Sequence, residues 1–350
     1  MLALTVDPKK AGSLDVREVA DPRPAAGELL VQGIAIGVCG TDREIAANDY
    51  GSAPPGKDRL ILGHESLGRV VQAPPESGFA PGDLVAGVVR RPDPVPCGAC
   101  AQGEFDMCRN GLYVERGIKD VDGFGSQLWT IEPSYAVKLD PSLGEVGMLM
   151  EPTSVVAKAW EQVELVGRRS WFDPKRVLVT GAGPIGLLAA MLGVQRGLDV
   201  HVLDLATSGP KPDAVAALGA EYHSSGIDSF IAKGRPDIVI EATGVSEVVI
   251  DAIGSTAAYG IVCLTGVSPG GRRISVDVGG ANRSMVLEND AVVGSVNANL
   301  RHFAAAAESL RQADPTWLAR LITQRISLND FAQAFTHPDP DTDIKSIITL

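Results

Sequence analysis

The rhythm of hydrophobic and polar positions changes once along the chain, near residue 160. Before that point, short apolar runs of β character are separated by proline and glycine, at residues 28–36, 68–72, 84–89 and 135–138. Such runs predict an irregular, mostly β domain with long loops. The loop at 90–110 is long enough to call for a function or a staple of its own. From about residue 175 the pattern alternates. Residues 177–180 read as a strand, 181–186 as a glycine turn, and 184–196 as an apolar helix that Gly197 can cap. A strand at 200–203 follows, then a helix at 213–218 stopped by Gly219. Strands at 237–241 and 261–265 flank a helix at 246–253. This alternation predicts a parallel sheet with crossover helices. Residues 299–350 read as a helix, a polar connection and a last strand at 345–350. The expected division is therefore one domain of residues 1–160 with 299–350 and another of 161–298.

Composition narrows the function classes. The chain has 350 residues, 45% hydrophobic and 21% charged, an ordinary globular balance that excludes disorder and fibre. The 43 acidic residues against 31 basic ones give a formal charge of −12. That argues against nucleic-acid or anionic-membrane partners. No apolar run approaches a membrane span, and residues 1–10 do not resemble a secretory signal. Three of the five cysteines fall within twelve residues. That spacing suits metal binding in a reducing compartment, so a cytoplasmic location is expected.

Two constellations carry chemistry. The first is Gly181-Ala-Gly183-Pro184-Ile185-Gly186, a G-x-G-x-x-G directly after a strand and at the opening of a helix. Gly181 permits the turn, Gly183 lets the backbone approach a pyrophosphate, and Gly186 lets helix and strand pack closely. The helix N-terminus offers free N–H groups to phosphates. Asp204 ends the next strand, where a carboxylate binds the adenosine ribose hydroxyls. Asp204 points to NAD, because its charge repels a 2′-phosphate. Lys211, seven residues on, either offsets that charge and admits NADP or is a solvated surface lysine.

The second constellation is Gly37-Val-Cys39-Gly-Thr41-Asp42, followed by Gly63-His64-Glu65 and by Glu151-Pro152. A thiolate, an imidazole and a carboxylate make a plausible set for a catalytic zinc with one open position. Taken singly, each has an ordinary reading as a buried cysteine or a satisfied histidine. Their occurrence together with a dinucleotide turn gives them weight.

On these residues the chain resembles the zinc-containing medium-chain dehydrogenases of the alcohol dehydrogenase superfamily, along essentially its whole length. Within them it is most similar to the glucose 1-dehydrogenase branch, through residues 111–118, Glu151-Pro152, Glu241-Ala-Thr-Gly244 and Gly294-Ser-Val-Asn297. The resemblance implies a GroES-like irregular β-barrel catalytic domain beside a doubly wound Rossmann cofactor domain, assembled as a homodimer or homotetramer. It implies zinc held by Cys39, His64 and Glu151, with Glu65 either a ligand or the partner that orients one. The Thr41 hydroxyl would start the proton relay from the ionising substrate hydroxyl, or else bond within its own turn. Glu115 and Asn297 match sugar-contacting positions, with Arg116 holding Glu115 or a neighbouring loop. Glu115 otherwise forms a surface ion pair with Arg116 or Lys119. Thr243, Gly266, Val267, Val296 and Asn297 would join the glycine turn in binding the nicotinamide cofactor.

Two departures from the family pattern stand out. Cys97, Cys100 and Cys108 fit the last three positions of a C-x2-C-x2-C-x7-C structural zinc lobe, but the first position is Pro94. Asp93 is the candidate replacement, and a metal-free lobe is the alternative. Val89 stands where the branch can place an asparagine before Arg90-Arg91, so one sugar contact is missing and the preferred aldose can differ from glucose. Cys263 reads as core packing, and His201, His223, His302 and His337 read as structural or exposed. The implied reaction is oxidation of an aldose at C1 to a lactone with reduction of NAD(P). The alternatives are another zinc-dependent polyol or alcohol dehydrogenase, or a non-catalytic nucleotide-binding relative.

Overall fold

The computed structural model describes residues 1–350 apart from Pro269, Arg272, His337 and Pro338. The chain divides into two compact units. One comprises Met1–Ser154, Asn297–Pro338 and Lys345–Leu350, and the other Val155–Val296 and Asp339–Ile344.

The strands used below are, in chain order, β1 (Leu29–Val38), β2 (Glu65–Gln72), β3 (Leu84–Gly87), β4 (Leu128–Ile131) and β5 (Ala136–Lys138). The second unit contributes β6 (Arg176–Thr180), β7 (Asp199–Leu203), β8 (Glu221–His223), β9 (Ile238–Glu241), β10 (Ile261–Leu264) and β11 (Ala291–Gly294). The chain then adds β12 (Ile322–Ser327) and β13 (Lys345–Thr349).

In the first unit a seven-stranded sheet runs β5-β3-β2-β1-β13-β12, with β4 also paired to β1. Ten-residue β1 is its organiser. Its first half pairs with β4, from Leu29↔Ile131 to Gln32↔Leu128. Its second half pairs antiparallel with β13, from Ala35↔Thr349 to Val38↔Ser346. Its other edge pairs with β2, ending at Gly37↔Glu65. Leu29, Val31, Ile36, Leu67, Val70, Ile347 and Ile348 are buried, so the sheet is held by its own apolar positions. Three strand ends, those of β1, β2 and β13, thus meet at one corner.

In the second unit six parallel strands are ordered β8-β7-β6-β9-β10-β11. This is the doubly wound order expected from the alternating pattern. The central strands β6, β9 and β10 carry continuous buried apolar runs, at residues 177–179, 238–240 and 261–263, as burial on both faces demands. Cys263 lies in β10, fully buried, and burial pushes its thiol up to about 12. Its reading as core packing holds.

Several boundaries move. The expected cut at 160 falls inside one unbroken helix, Met150–Gly167, and the units divide within it. Helical periodicity carries no mark of such a division. Residues 339–344 belong with the second unit rather than the first. The helix expected at 213–218 begins earlier, at Pro210, a residue suited to a first helical turn. Strand β12 was not anticipated, because its six residues Ile-Thr-Gln-Arg-Ile-Ser show only an alternating half-buried pattern. The long loop contains a two-residue strand at Arg90–Arg91, a helical turn at Gly98–Ala101 and a 3-10 turn at Phe105–Met107. No helix among the described residues is long and apolar enough to cross a membrane.

Candidate functional site

The corner where β1, β2 and β13 end holds the candidate metal centre. Cys39 directly follows β1 and caps helix α1 (Gly40–Ala47). His64 directly precedes β2 and Glu65 opens it. Cys39 Sγ and His64 Nε2 face each other at 3.1 Å. One ligand atom each from Cys39, His64 and Glu65 lies within 4.8 Å of the others.

The imidazole is positioned from behind. His64 Nδ1 stands 3.3 Å from Asp42 Oδ1, and both residues are buried. The other carboxylate oxygen, Asp42 Oδ2, accepts the Cys39 backbone N–H at 2.9 Å. One carboxylate therefore fixes both the ring and the backbone of the cysteine. A carboxylate on the distal nitrogen is the usual way a metal-ligating histidine is oriented. Burial raises the Asp42 pKa, but His64 and the Cys39 N–H outweigh it and hold the carboxyl below its ordinary value. Burial likewise opposes a charged His64, yet the Cys39 and Asp42 charges hold its pKa well above the ordinary 6.5.

Glu65 is gripped by a residue with no sequence signal. Lys345, the first residue of β13, places Nζ 2.5 Å from both Glu65 carboxylate oxygens and 3.2 Å from Val38 O. Both side chains are almost wholly buried. Gly37 makes room for this pair, because a Cβ there would lie 1.8 Å from Glu65 Oε2. Glu151, in the first turn of the Met150–Gly167 helix, stands outside the tight group of three. It remains within the electrostatic reach of His64 and Glu65. Burial first and Glu65 second push its carboxyl up to about 7, against the pull of His64. Thr41 is the second residue of α1, half-buried.

The sugar-contact candidates pair with each other. Asn297 Nδ2 donates to Glu115 Oε1 at 2.6 Å. Glu115 is 3% exposed, and its partner is Arg90 at 3.0 Å. The surface ion pair with Arg116 or Lys119 is thereby corrected. Arg116 instead serves the neighbouring loop, donating to the carbonyls of Asp122 and Thr130. Arg90 also donates to Asp106 O at 3.0 Å, which ties the long loop to Glu115.

That loop carries the cysteine lobe. The sulfurs of Cys97, Cys100 and Cys108 lie within 4.8 Å of one another. Cys97 Sγ accepts N–H groups from Arg109 at 3.4 Å and Cys100 at 3.5 Å. Those bonds lower the Cys97 pKa to about 6, while burial raises Cys100 to about 11. Asp93 lies outside this tight group of three. Its Oδ1 accepts the Val95 N–H at 2.8 Å, while its buried Oδ2 has no hydrogen-bond partner.

In the second unit the cofactor candidates all follow C-terminal strand ends. Gly181 follows β6, Asp204 follows β7, Thr243 lies past β9, Gly266 and Val267 past β10, and Val296 past β11. Ligands of doubly wound sheets bind at that edge. Gly181 has φ +92°, and a Cβ on Gly186 would lie 1.8 Å from Gly181 O, so the turn needs both glycines. Gly183 precedes the helix Pro184–Gln195, of which Ile185 is the second residue. Asp204 Oδ2 accepts the Ala182 N–H at 2.6 Å, joining the second strand end to the glycine turn. Lys211 is 8% exposed and stands 3.5 Å from Asp204 Oδ1. It is a buried ion-pair partner, not a solvated surface lysine. The buried Glu241 carboxylate holds Thr243 and Gly244 through their N–H groups.

Of the remaining histidines, His302 is buried and accepts the Asn299 N–H at 3.0 Å in a helix cap. His201 and His223 touch each other, and His337 lies outside the described residues. Asp42, Lys345 and Arg90 are the site residues that sequence reasoning missed. Only Asp42 had a signal, as the third residue after Cys39 at a helix start.

Comparison with known proteins yields two matching family models. The alcohol dehydrogenase GroES-like domain matches residues 25–141, and the glucose dehydrogenase C-terminus matches residues 144–350. The chain is 39% identical over 353 residues to a glucose 1-dehydrogenase of Methanocella arvoryzae, covering 98% of each. It is 39% identical over 348 residues to one of Thermoproteus tenax, covering 97% of each. Among solved structures it is similar to Haloferax mediterranei glucose dehydrogenase in complex with NADP, Zn and gluconolactone. That likeness has a TM-score of 0.90 at 33% identity and covers 100% of this chain and 99% of the other.

Proposed function

Because this chain belongs to the glucose dehydrogenase family of zinc-containing medium-chain dehydrogenases, we propose that it oxidises D-glucose or a close aldose at C1 to the lactone, with NAD(P) as hydride acceptor. The observation that carries this reading is the Cys39–His64 pair, facing at 3.1 Å with Asp42 behind the imidazole. The donor set is a thiol, an imidazole whose Nε2 faces the thiol, and carboxylates, which fits zinc. Cys39, His64 and Glu151 would hold the ion. When bound, zinc supplies Lewis-acid polarisation at the substrate hydroxyl.

The chain's own residues do the rest. Thr41 takes up the hydroxyl proton and passes it toward solvent. The hydrogen on C1 leaves as hydride for the nicotinamide ring, so the sugar loses two electrons and the ring gains them. Glu115 and Asn297 bind sugar hydroxyls, and a buried polar pair of this kind discriminates against substrates that cannot satisfy it. Glu65, held by Lys345 beside Cys39 and His64, would ligate the ion or orient a residue that does. Gly181, Gly183, Pro184, Ile185 and Gly186 receive the pyrophosphate, and Asp204 the ribose. Thr243, Gly266, Val267 and Val296 complete the cofactor edge. We place a second zinc on Cys97, Cys100 and Cys108, and the enzyme in a reducing compartment that keeps its five cysteines free.

Initial rates with D-glucose, D-galactose and D-xylose, each with NAD and NADP, test the reading. Turnover of at least one aldose is expected. Turnover of sorbitol or simple alcohols with none on aldoses would overturn it. Asp204→Ala is expected to raise KM for NAD more than for NADP, and an equal loss on both rejects the ribose role.

A further inference from the structure

A cluster outside both cysteine sites has the geometry of a metal centre. His201 in β7 and Glu221 in β8 are register partners across two parallel strands, and His223 lies two residues further along β8. All three side chains fall on one face of the sheet by strand alternation. His201 Nδ1 and His223 Nε2 are 3.0 Å apart. Glu221 straddles them, with Oε2 at 3.6 Å from His201 Nδ1 and Oε1 at 3.7 Å from His223 Nε2. One ligand atom from each of the three residues lies within 4.8 Å of the others, close enough for a single ion to be reached at the roughly 2 Å ligand distance of zinc to nitrogen and oxygen.

We propose that His201, His223 and Glu221 bind one borderline divalent transition-metal ion, of the Zn2+ or Co2+ class, at the β8 edge of the second unit.

Two further observations support it. The His201 side chain is 2% exposed and that of His223 is 9%, whereas Glu221 is 62% exposed. The imidazoles are thus preset, and the carboxylate can close over an arriving ion. The two rings are braced by Phe230, whose ring centroid lies 5.0 and 5.1 Å from theirs. Second, the far nitrogen of His201, Nε2, stands 3.0 Å from Asp199 Oδ2. A carboxylate on the outer nitrogen is the arrangement that orients a ligating histidine.

Arg176 and Lys233 are the nearby cations. Arg176 Nε lies 2.9 Å from His201 Nε2 and 3.5 Å from Asp199 Oδ2. Without metal it donates to Nε2, while Nδ1–H donates to His223. With an ion on Nδ1 the proton sits on Nε2 facing Asp199, and the guanidinium shifts its bond to the same carboxylate. Two imidazoles with one carboxylate favour transition ions over magnesium or calcium.

The test uses the whole protein, purified with its zinc, desalted and then titrated with Co2+ alone. A d–d band lacking thiolate charge transfer is expected, saturating at one equivalent, with a rise in thermal midpoint. His223→Gln should abolish it. Asp199→Asn should weaken cobalt binding by about ten- to a hundredfold, as loss of an orienting carboxylate does. Should His223→Gln fail to fold, Glu221→Gln removes a solvent-exposed ligand and is expected to weaken binding about tenfold. An unchanged cobalt spectrum in these variants overturns the proposal. So does a thiolate charge-transfer band as the only signal, or no binding up to about a millimolar cobalt, since an imidazole pair should bind cobalt well below that.

Discussion

The two cysteine clusters of the first unit are built in opposite ways. Around Cys39 the donors come from the neighbouring ends of β1 and β2 and from the helix Met150–Gly167, and His64 and Glu65 each have a buried counterpart, Asp42 and Lys345. Around Cys97 the donors come from one loop, and local N–H groups are what support the sulfur. The first cluster is a consequence of the sheet. The second is a consequence of the loop's own spacing. A site built from distant strands is rigid and costly to disturb, whereas one built within a loop depends on the ion to hold it.

The largest effects should fall on the first cluster. His64→Ala, or prolonged chelation, is expected to lower kcat/KM by about a thousandfold, because a Lewis acid worth several kcal/mol is lost. Steady-state assays with metal analysis check this. Retained activity without zinc would break the comparison at its root. Next comes Lys345→Met. It leaves the Glu65 carboxylate buried without its cation, and should destabilise the fold by about 3–5 kcal/mol in urea denaturation. A loss below about 1 kcal/mol would mean that Glu65 is neutral or solvated rather than held as an ion. Glu115→Gln comes third. It keeps the shape but weakens the bonds to Arg90 and Asn297, and a charge-assisted bond is worth about 1.5–3 kcal/mol. KM for the sugar should rise while the KM for NAD(P) stays put. The smallest effect should be Cys108→Ser. Thermal midpoints of zinc-loaded wild type and variant should differ, but the chelated proteins should melt within a degree or so of each other. Equal midpoints in both states would show that the lobe holds no ion.

Much of this was legible from the residues, for identifiable reasons. The glycine turn at 181–186 and the strand ending at Asp204 announce themselves because local backbone chemistry dictates them. Cys39, His64 and the three lobe cysteines are readable because ligand chemistry restricts residue type. Lys345 was not readable. Its importance comes from the pairing of β13 with β1, and nothing about a lysine at the start of an apolar strand reports which carboxylate it meets. Arg90 was hidden in the same way, since its partners Glu115 and Asp106 O are set by loop packing. Lys211 was read as one of two things because solvent exposure is not a local property. The histidine pair at 201 and 223 had no motif, since its geometry exists only across the register of two parallel strands.

The pairing of Lys345 with Glu65 spans 280 residues. During synthesis on the ribosome, β1 and β2 emerge long before β13 does, and the whole second unit is translated in between. Until then the buried carboxylate has no counter-ion, and β1 has an open edge from Ala35 to Val38. The nascent sheet must wait in that incomplete state, exposed to edge-to-edge association. Closure by β13 then seals the edge and neutralises the acid in a single event, so the metal cradle reaches its final form among the last steps of folding.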